Sequence, residues 1–324
     1  MHLLIPHASA LGDAADAALA LLAQQTLPNL AALLGRLQAE DAPDSASAAD
    51  EYSLNLPHER ATLALAGWPA SPAAPDGQLP WAAWLARRDG VEVAPGQAIA
   101  LVTPVHWHVG SDQISLIDPA QLALDEAESR AHLAVLQTLV AEAGWLLTYG
   151  APLRWYATHP LMGQVRSASI ERVVGRNIDL WLPRDVDARI VRRLQVELQM
   201  TLHGHALSEA REARGALPVN SFWLSGSGIA PAAAAQLPAE VTLDARLGAP
   251  LLAGDWQAWC NGWRALDVGP IAALLASARA GAPVTLTLCG ERQARRWTPR
   301  PLRLLEKLGL RSARANPIDA LRSL

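Results

Sequence analysis

The chain has 324 residues, 51% of them apolar, and its formal net charge at pH 7 is −4. A chain of this length can bury one large hydrophobic core or two smaller ones. The mildly acidic charge balance argues against a nucleic acid partner, because proteins that bind nucleic acids carry a basic patch. No apolar run reaches the ~20 residues that a membrane-spanning helix needs, and the opening residues lack the basic segment of a signal peptide. We therefore expect a cytoplasmic protein with no membrane partner.

The cysteine and tryptophan contents predict a reducing compartment and an indole-rich core. Cys260 and Cys289 are the only cysteines, too few for a disulfide framework or a metal knuckle, and we expect both to be small buried side chains. With 12 tryptophans and 1 phenylalanine, indoles fill positions that phenylalanine often takes. Trp256, Trp259 and Trp263 recur at helical spacing, which predicts a stripe that faces the core.

The first hundred residues alternate short apolar runs with Ala/Leu-rich segments, a pattern typical of α/β proteins. Polar and Pro-rich stretches between them predict loops. In chain order these elements are a strand at 2–6, helices at 13–25 and 30–38, a loop at 39–50, a loop at 71–80, a helix at 81–88 and a strand at 98–102.

Two closely spaced histidines, His106 and His108, lie on the next predicted strand. Two imidazoles on one face of a strand can bind a metal ion, but the spacing supplies no third ligand. Hydrogen-bonded histidines on a polar face are the alternative interpretation.

The segment that follows reads as a small α/β lobe with basic turns. Helices at 125–143 and 185–202 flank a strand, a turn and a second strand. Arg154 lies in this hairpin and Arg176 in the turn Gly175-Arg176-Asn177. A guanidinium group binds an oxyanion through two parallel hydrogen bonds, so both arginines are candidate ligand contacts. Solvated surface side chains are the alternative.

The stretch HALSEAREARGALPVNSFWLSGSG, from His205 to Gly228, carries regularly spaced polar residues. The pattern predicts the end of a helix, a break at Pro218, a short strand and a glycine turn whose amides can approach an anion. Its distinctive residues are His205, Arg211, Arg214, Gly215, Pro218, Asn220, Trp223, Gly226 and Gly228. The last informative segment, 283–291, predicts a strand that ends in Cys-Gly-Glu, and a further helix is predicted at 302–308.

The order of these residues resembles a motif of the archaeal-type cofactor-independent phosphoglycerate mutases, which belong to the alkaline phosphatase superfamily. That family has His-Pro-Val-Asn, then Arg, Gly and Pro-Ala-Asn, then Trp-Leu-Trp-Gly-x-Gly. The positions that fall in register here are His205, Arg211, Gly215, Pro218, Asn220, Trp223, Gly226 and Gly228, whereas Ala206-Leu207-Ser208 and Ser225 depart from the pattern. Arg154 matches a second pattern of the family, Gly-x-x-Tyr-Arg, except that Leu153 replaces the tyrosine.

The stretch 53–69 resembles the nucleophile segment of the same family. Gly67 and Trp68 fall on its Gly-Tyr pair, which puts His58 at the position of the nucleophilic serine and Glu59 at that of an aspartate. Thr26-x-Pro28-Asn29-Leu30 is similar to a helix start found across the superfamily.

The resemblance implies a particular fold and domain organisation. We expect an α/β protein with an alkaline-phosphatase-like three-layer core, a mainly parallel sheet and a smaller inserted α/β lobe. The implied boundaries are 1–104 for the first part of the core, 105–215 for the lobe and 216–324 for the second part of the core.

The metal and nucleophile positions of the family are occupied by other residues. His7 stands in place of the first-strand aspartate, His58 in place of the serine, and Cys289-Gly290-Glu291 in place of Asp-His-Gly. The family uses two divalent metal ions such as Mn or Zn, which neutralise the phosphoryl oxygens and activate the nucleophile. We therefore expect no metal cofactor, unless His7, His58 and Glu291 converge and rebuild a site.

Three functions follow from this comparison. The first is a bacterial, catalytically degenerate relative, similar to regulatory proteins of the RpfE type, that binds a small phosphorylated or anionic ligand or a protein partner. Its candidate ligand-binding residues are Arg154, Arg176, His205, Arg211, Arg214 and Asn220. The second is an active enzyme, either a mutase with displaced metal ligands or a phosphotransferase that passes phosphate through His58 with help from Glu59 or Arg60. The third is a structural subunit without chemistry of its own.

Overall fold

The computed structural model describes residues 1–41, 51–68, 75–232, 236–301 and 315–324. Its strands are β1 (His2–Ile5), β2 (Leu37–Asp41), β3 (Ala98–Val105), β4 (Trp107–Val109), β5 (Ile114–Leu116), β6 (Leu146–Ala151), β7 (Arg154–Thr158), β8 (Ser221–Ile229), β9 (Val241–Leu243), β10 (Thr285–Cys289) and β11 (Ala294–Pro299). Its α-helices are α1 (Asp13–Ala23), α2 (Pro28–Leu34), α3 (Pro57–Leu65), α4 (Trp81–Arg88), α5 (Glu126–Ala141), α6 (Ile170–Val173), α7 (Arg189–Leu202), α8 (Ala206–Glu212), α9 (Gly248–Leu252), α10 (Trp256–Leu266), α11 (Ala272–Arg279) and α12 (Pro317–Arg322).

Most predicted elements form where the sequence pattern places them, but the second helix is shorter than predicted. The predicted helix at 30–38 ends at Leu34, and Leu37–Asp41 pairs with β11 as an antiparallel strand. Gly35 follows the last helical residue, and glycine has a low helix propensity, so the helix ends there. The predicted helix at 302–308 and the loop residues 42–50 and 71–74 lie outside the described residues.

The chain divides into two compact units. The first contains Met1–Tyr52, Leu56–Gly67 and Gln236–Leu324, and the second contains Ser53–Asn55 and Trp68–Ala235. These limits differ from the expected boundaries after residues 104 and 215. The reason is that β3 and β8, which the sequence interpretation placed in the core, pair with each other in the sheet of the second unit.

The first unit is a mixed sheet with helices against both faces. Its strand order is β2-β11-β10-β1-β9; β1 runs parallel to β10 and β9, whereas the β10–β11 and β11–β2 pairs are antiparallel. The sheet is therefore less parallel than expected. Leu3 and Ile5 pack into a cluster with α1, α2, α10 and α11, while Leu4 on the opposite face packs with Ala61 of α3. Side chains alternate across a strand, so one apolar run serves both layers.

The start of α2 explains the Pro28-Asn29-Leu30 sequence in physical terms. The buried carboxylate of Asp267 accepts hydrogen bonds from the backbone N–H of Leu30 (2.7 Å) and of Asn29 (3.3 Å). Pro28 occupies the first helical position, where its missing N–H costs nothing. Asp267 thus satisfies two of the N–H groups that a helix start leaves without an intrahelical partner.

The second unit is built on an antiparallel sheet of order β6-β7-β3-β8, accompanied by the β4–β5 hairpin. Its main apolar cluster joins the sheet to α5 and α7, and a smaller cluster surrounds β4 and β5.

No single helix among the described residues is long and apolar enough to cross a membrane. The helices Ala14–Ala23 and Pro28–Leu34 meet the length and composition criteria only as a pair, and that pair is bent by 98°.

Candidate functional site

The site most clearly assembled by the first unit lies where its parallel strands end. His7 follows β1, Asp244 follows β9, and Cys289 closes β10 before Gly290 and Glu291. The carboxyl ends of neighbouring parallel strands meet at one edge of a sheet, and α/β proteins bind ligands at that edge. The β1 register with β10 and β9 therefore brings side chains from three distant parts of the sequence to one edge.

Two imidazoles face each other at this edge. The ring centroids of His7 and His58 are 4.8 Å apart, with the ring planes inclined at 54°, and a ring nitrogen of each lies within 4.8 Å of the other. His58 is the second residue of α3 and is 5% exposed, so its side chain is largely removed from solvent. The resemblance put His7 and His58 at two positions of the family's site and left open whether they converge; in the structure the two rings lie next to each other.

The backbone at His7 has an unusual conformation. Its φ is +56°, in the left-handed region that residues other than glycine rarely adopt. The indole N–H of Trp259 donates a hydrogen bond to the His7 carbonyl at 3.0 Å. Gly248 packs beside the imidazole, and a Cβ at that position would lie 3.0 Å from His7 Cδ2. The sequence interpretation assigned Trp259 to the core and gave Gly248 no role.

The carboxylates near this edge have backbone or ion-pair partners. Glu291 Oε2 accepts a hydrogen bond from the backbone N–H of Leu11 at 2.9 Å. Asp244 forms an ion pair with Arg246, with Oδ2 and Nη2 2.7 Å apart. Glu59, predicted to assist catalysis, accepts a hydrogen bond from the N–H of Leu56 at 3.0 Å. Glu59 therefore closes the first turn of its own helix in the manner of a capping-box glutamate.

Cys289, at the end of β10, is fully buried. Burial raises the pKa of the Cys289 thiol well above its ordinary value. A thiol that stays protonated is a poor nucleophile and a poor metal ligand. Cys289 thus acts as a small apolar side chain in the cluster that contains Leu4 and Ala61, in the manner the sequence predicted for both cysteines.

Arg154, one of the predicted ligand contacts, lies in the second unit and is paired within it. Its Nε and Nη2 donate to the two oxygens of Asp89 at 2.8 and 2.7 Å, and the Tyr156 hydroxyl donates to Asp89 at 2.5 Å. Burial tends to raise the pKa of Asp89, but the hydrogen bonds from Arg154 and Tyr156 outweigh it and hold that pKa below its usual value. A Cβ at Gly150 would lie 2.9 Å from the Asp89 carboxylate, so only glycine leaves room for this cluster.

Arg211 and Arg214 share one carboxylate of α5. Arg211 is 1% exposed and donates to Glu128 at 2.8 Å, to the Leu217 carbonyl at 2.7 Å and to the Leu122 carbonyl. Arg214, at the surface, donates to the other oxygen of Glu128. These contacts fix the α8 segment against α5, so the structure gives Arg211 an internal structural role that the sequence interpretation did not foresee.

His205 and Asn220 also have partners within the second unit. His205 is the residue before α8, and its Nδ1 accepts a hydrogen bond from the N–H of Leu207 at 3.1 Å. It begins a separate helix, whereas the sequence predicted the end of one. The Asn220 amide contacts both backbone groups of Trp107, accepting from its N–H at 2.8 Å and donating to its carbonyl at 2.9 Å. Arg176 is half-buried in the turn after α6, where its N–H donates to the Val173 carbonyl.

The predicted anion-binding turn is part of a strand. Gly226 and Gly228 lie within β8, which is buried from Ser221 to Gly228. A Cβ at Gly226 would lie 2.8 Å from the N–H of Ala82, and one at Gly228 would lie 2.8 Å from the Gln78 carbonyl oxygen. The two glycines let the start of α4 and the residues before it approach the strand.

His106, just before β4, and His108, within β4, do not converge on one point. His106 Nδ1 contacts the Pro218 carbonyl at 2.8 Å, whereas His108 is exposed. Hydrogen-bonded and solvated histidines thus account for this pair.

Sequence reasoning gave no role to Arg172. This side chain is fully buried and donates to the Ser53 carbonyl and hydroxyl, both at 3.0 Å.

Comparison with known proteins concerns the fold. No protein-family model matches the chain, and no curated protein sequence does. The chain is similar in structure to two archaeal proteins. One is a cofactor-independent phosphoglycerate mutase from Thermoplasma acidophilum DSM 1728, with 13% identity, a TM-score of 0.37 and coverage of 98% of this chain and 94% of that chain. The other is the PH0037 protein from Pyrococcus horikoshii, with 10% identity, a TM-score of 0.48 and coverage of 98% and 91%. No residue role follows from similarity at this level.

Proposed function

We propose that this chain is a phosphoglycerate-mutase-like protein that does not transfer phosphoryl groups and instead binds a small anionic ligand at the His7–His58 pair. The observation that supports the proposal is the contact between these two imidazoles, with centroids 4.8 Å apart, beyond the carboxyl end of β1. The resemblance places the metal-binding aspartate and the nucleophilic serine of the mutases at these two positions.

The residues at this edge fit one transition metal ion better than two. Neutral imidazole nitrogens are good ligands for ions of the zinc type, and a nitrogen of each ring lies within 4.8 Å of the other. Two imidazoles supply two of the four ligands that zinc takes, so water or the anion would complete the coordination. The carboxylates that a two-metal site needs have other partners: Asp244 pairs with Arg246, and Glu291 accepts from Leu11. A metal ion held by His7 and His58 would supply positive charge that attracts an anion. Without an ion, the N–H group of each imidazole can donate a hydrogen bond to the same kind of ligand.

The first experiment measures metal content by mass spectrometry on protein purified without chelator or affinity tag and then reloaded with Zn²⁺ or Mn²⁺. Binding of inorganic phosphate by calorimetry follows, with and without a chelator. We expect phosphate binding that His58→Gln weakens at least tenfold and that the control variant His108→Gln, at an exposed histidine, leaves unchanged. Loss on chelation assigns the binding to a metal ion, and persistence assigns it to the imidazoles. Metal-dependent mutase or phosphatase turnover would overturn the proposal.

A phosphotransferase that carries phosphate on His58 is the second candidate. It is favoured by the same contact, because His7 is placed to orient the His58 ring or exchange a proton with it. Phosphoryl transfer would attach phosphorus to a His58 ring nitrogen and release the alcohol of a phosphomonoester donor. Incubation with such a donor and mass analysis of the peptide that contains His58 tests it. An unmodified peptide, together with a rate that His58→Gln does not change, excludes this role.

A regulatory role of the RpfE type and a protein partner belong to the same proposal. They require that the ligand-bound protein contacts another macromolecule. A stoichiometric complex whose formation depends on phosphate or on metal loading would support regulation. A stoichiometric complex that forms equally well with His58→Gln would favour a structural subunit.

A further inference from the structure

His7 has a positive φ, which is uncommon for residues other than glycine. In the part of the chain that the structure describes, His7 and Ala123 are the residues other than glycine with positive φ, at +56° and +47°. Backbone strain of this kind persists only where the surrounding structure imposes it, and it is concentrated at functional sites. The contacts of His7 show what imposes the strain.

Three features surround His7: a hydrogen bond to its carbonyl, a hydrogen bond made by the next residue, and open space beside its ring. The Trp259 indole N–H donates to the His7 carbonyl at 3.0 Å. The N–H of the next residue, Ala8, donates to the Cys289 carbonyl at 2.8 Å, which ties the chain to the end of β10. Gly248 leaves space for the ring, because a Cβ there would lie 3.0 Å from Cδ2 and 3.3 Å from Nε2 of His7.

Trp259 and its neighbour Trp263 differ in the hydrogen bonding of their indole N–H groups. The two indoles make an edge-to-face contact with centroids 6.1 Å apart, and both are buried, at 1% and 0% exposure. Trp259 donates to His7, whereas Trp263 Nε1 has no hydrogen-bond partner among the described residues. The chain thus contains a matched pair in which only one indole holds the His7 carbonyl.

We infer that Trp259 and Gly248 are positioning residues that hold His7 in the left-handed conformation so that its imidazole faces His58. The inference rests on the proposed function, in which the His7–His58 pair is the ligand-binding centre. It adds that the strain at position 7 serves binding, so that the protein would be more stable with glycine there and would no longer bind.

The first test compares Trp259→Phe with Trp263→Phe in the full-length chain. Each change removes similar apolar surface, but only Trp259→Phe removes the hydrogen bond to His7. NMR of the imidazole protons reports the ring geometry directly. We expect Trp259→Phe to shift the His7 ring resonances and weaken the nuclear Overhauser contacts between His7 and His58, and to lower the affinity for Zn²⁺ at least tenfold. Trp263→Phe should change neither. Equal effects of the two variants would overturn the assignment of Trp259.

The second test separates strain from packing at position 7. In unstrained backbone alanine is usually no less stable than glycine, whereas at positive φ glycine is favoured. We expect His7→Gly to unfold at a higher temperature than His7→Ala and than the parent chain, while both variants lose Zn²⁺ binding. If His7→Ala is as stable as His7→Gly, the backbone at position 7 is not strained and the inference fails.

The third test uses Gly248→Ala. Gly248 is the first residue of α9 and has a negative φ, so alanine suits the backbone there. The added methyl group lies against the imidazole, and we expect unchanged thermal stability with a tenfold loss of Zn²⁺ affinity. Unchanged affinity would show that the position of the His7 ring does not depend on Gly248.

If the parent chain binds neither Zn²⁺ nor phosphate, the proposed function fails. The NMR comparison still decides whether Trp259 positions His7.

Discussion

Arg211 and Glu128 form a buried ion pair that joins α8 to α5, with Nη1 and Oε2 2.8 Å apart. The Arg211 side chain is 1% exposed and that of Glu128 is 21% exposed. The backbone carbonyls of Leu217 and Leu122 accept hydrogen bonds from Nε and Nη2 of the same guanidinium group. The charge of Arg211 is therefore neutralised inside the second unit.

Removal of the carboxylate should destabilise the protein strongly. Glu128→Gln leaves the Arg211 charge buried without its counter-ion, which costs about 3 kcal/mol. Chemical denaturation followed by circular dichroism measures the loss. Arg214→Ala is the control, because Arg214 pairs with the same carboxylate but is 51% exposed, and exposed pairs contribute about 1 kcal/mol or less. A Glu128→Gln variant as stable as the parent would mean that Arg211 is free to bind a ligand, as the sequence first suggested.

The Asp89 carboxylate should make stability depend on acidity. Although burial raises the pKa of Asp89, the hydrogen bonds from Arg154 and Tyr156 lower it below 3.8 overall. A carboxylate with a depressed pKa contributes stability that is complete above its unfolded pKa and is lost as the pH falls through the folded pKa. We expect Asp89→Asn to reduce stability by about 2 kcal/mol at pH 7 and to have a smaller effect below pH 3. An equal loss at both pH values would contradict this assignment.

The local sequence pattern was sufficient to predict most helices and strands, but it did not predict the partners of charged side chains. The alternation in 98–102 and the spacing of Trp256, Trp259 and Trp263 predicted a strand and a core-facing helix, and both form. Hydrophobic periodicity determines such elements because each buries one face. The partner of Arg154 is 65 residues away in the sequence. Only the folded chain reveals such a contact.

The sequence predicted only part of the candidate site, because contacts between residues distant in the sequence appear only in the folded chain. Family resemblance put His7 at the position of a metal ligand and His58 at that of the nucleophile, but left open whether they meet; the ring centroids lie 4.8 Å apart. The positive φ of His7 and the contact with Gly248 had no signal in a single sequence. The Gly226-Ser227-Gly228 pattern indicated a turn because glycine is common in turns, but here the glycines admit a neighbouring helix. Glycine serves both purposes, and the sequence does not separate them.

His2 should lower stability in mild acid. Burial, followed by the charge of Arg296, lowers the pKa of His2 to about 4, and its Nε2 contacts Thr287 Oγ1 at 2.8 Å. An unfolded histidine binds a proton below about 6.5, whereas the folded one does not until about pH 4. Stability is therefore complete above pH 6.5 and falls as the pH drops toward 4. The difference corresponds to at most about 3 kcal/mol.

Thermal unfolding at pH 7.5, 6, 5 and 4 checks this prediction. His2→Gln keeps a hydrogen-bonding side chain that does not titrate, so its stability should fall less over this range. Burial also lowers the pKa of His132, and we expect the slope to be reduced rather than abolished. His108→Gln, at an exposed position, should retain the full slope of the parent chain. Parallel curves for the parent and His2→Gln would show that His2 does not control the acid response.

Gly228→Ala distinguishes close packing from anion binding at the glycine pair of β8. A Cβ there would lie 2.8 Å from the Gln78 carbonyl oxygen and 2.8 Å from the Pro80 nitrogen, and both are backbone atoms that cannot rotate away. Overpacking of this kind costs about 1–3 kcal/mol. We expect a loss of stability in that range and unchanged phosphate affinity. Gly175→Ala serves as the control for strain without overpacking, because Gly175 has a φ of +74° and a Cβ there would meet nothing within 4 Å. A Gly228→Ala protein with normal stability and weakened phosphate binding would restore the anion-binding interpretation of this glycine pair.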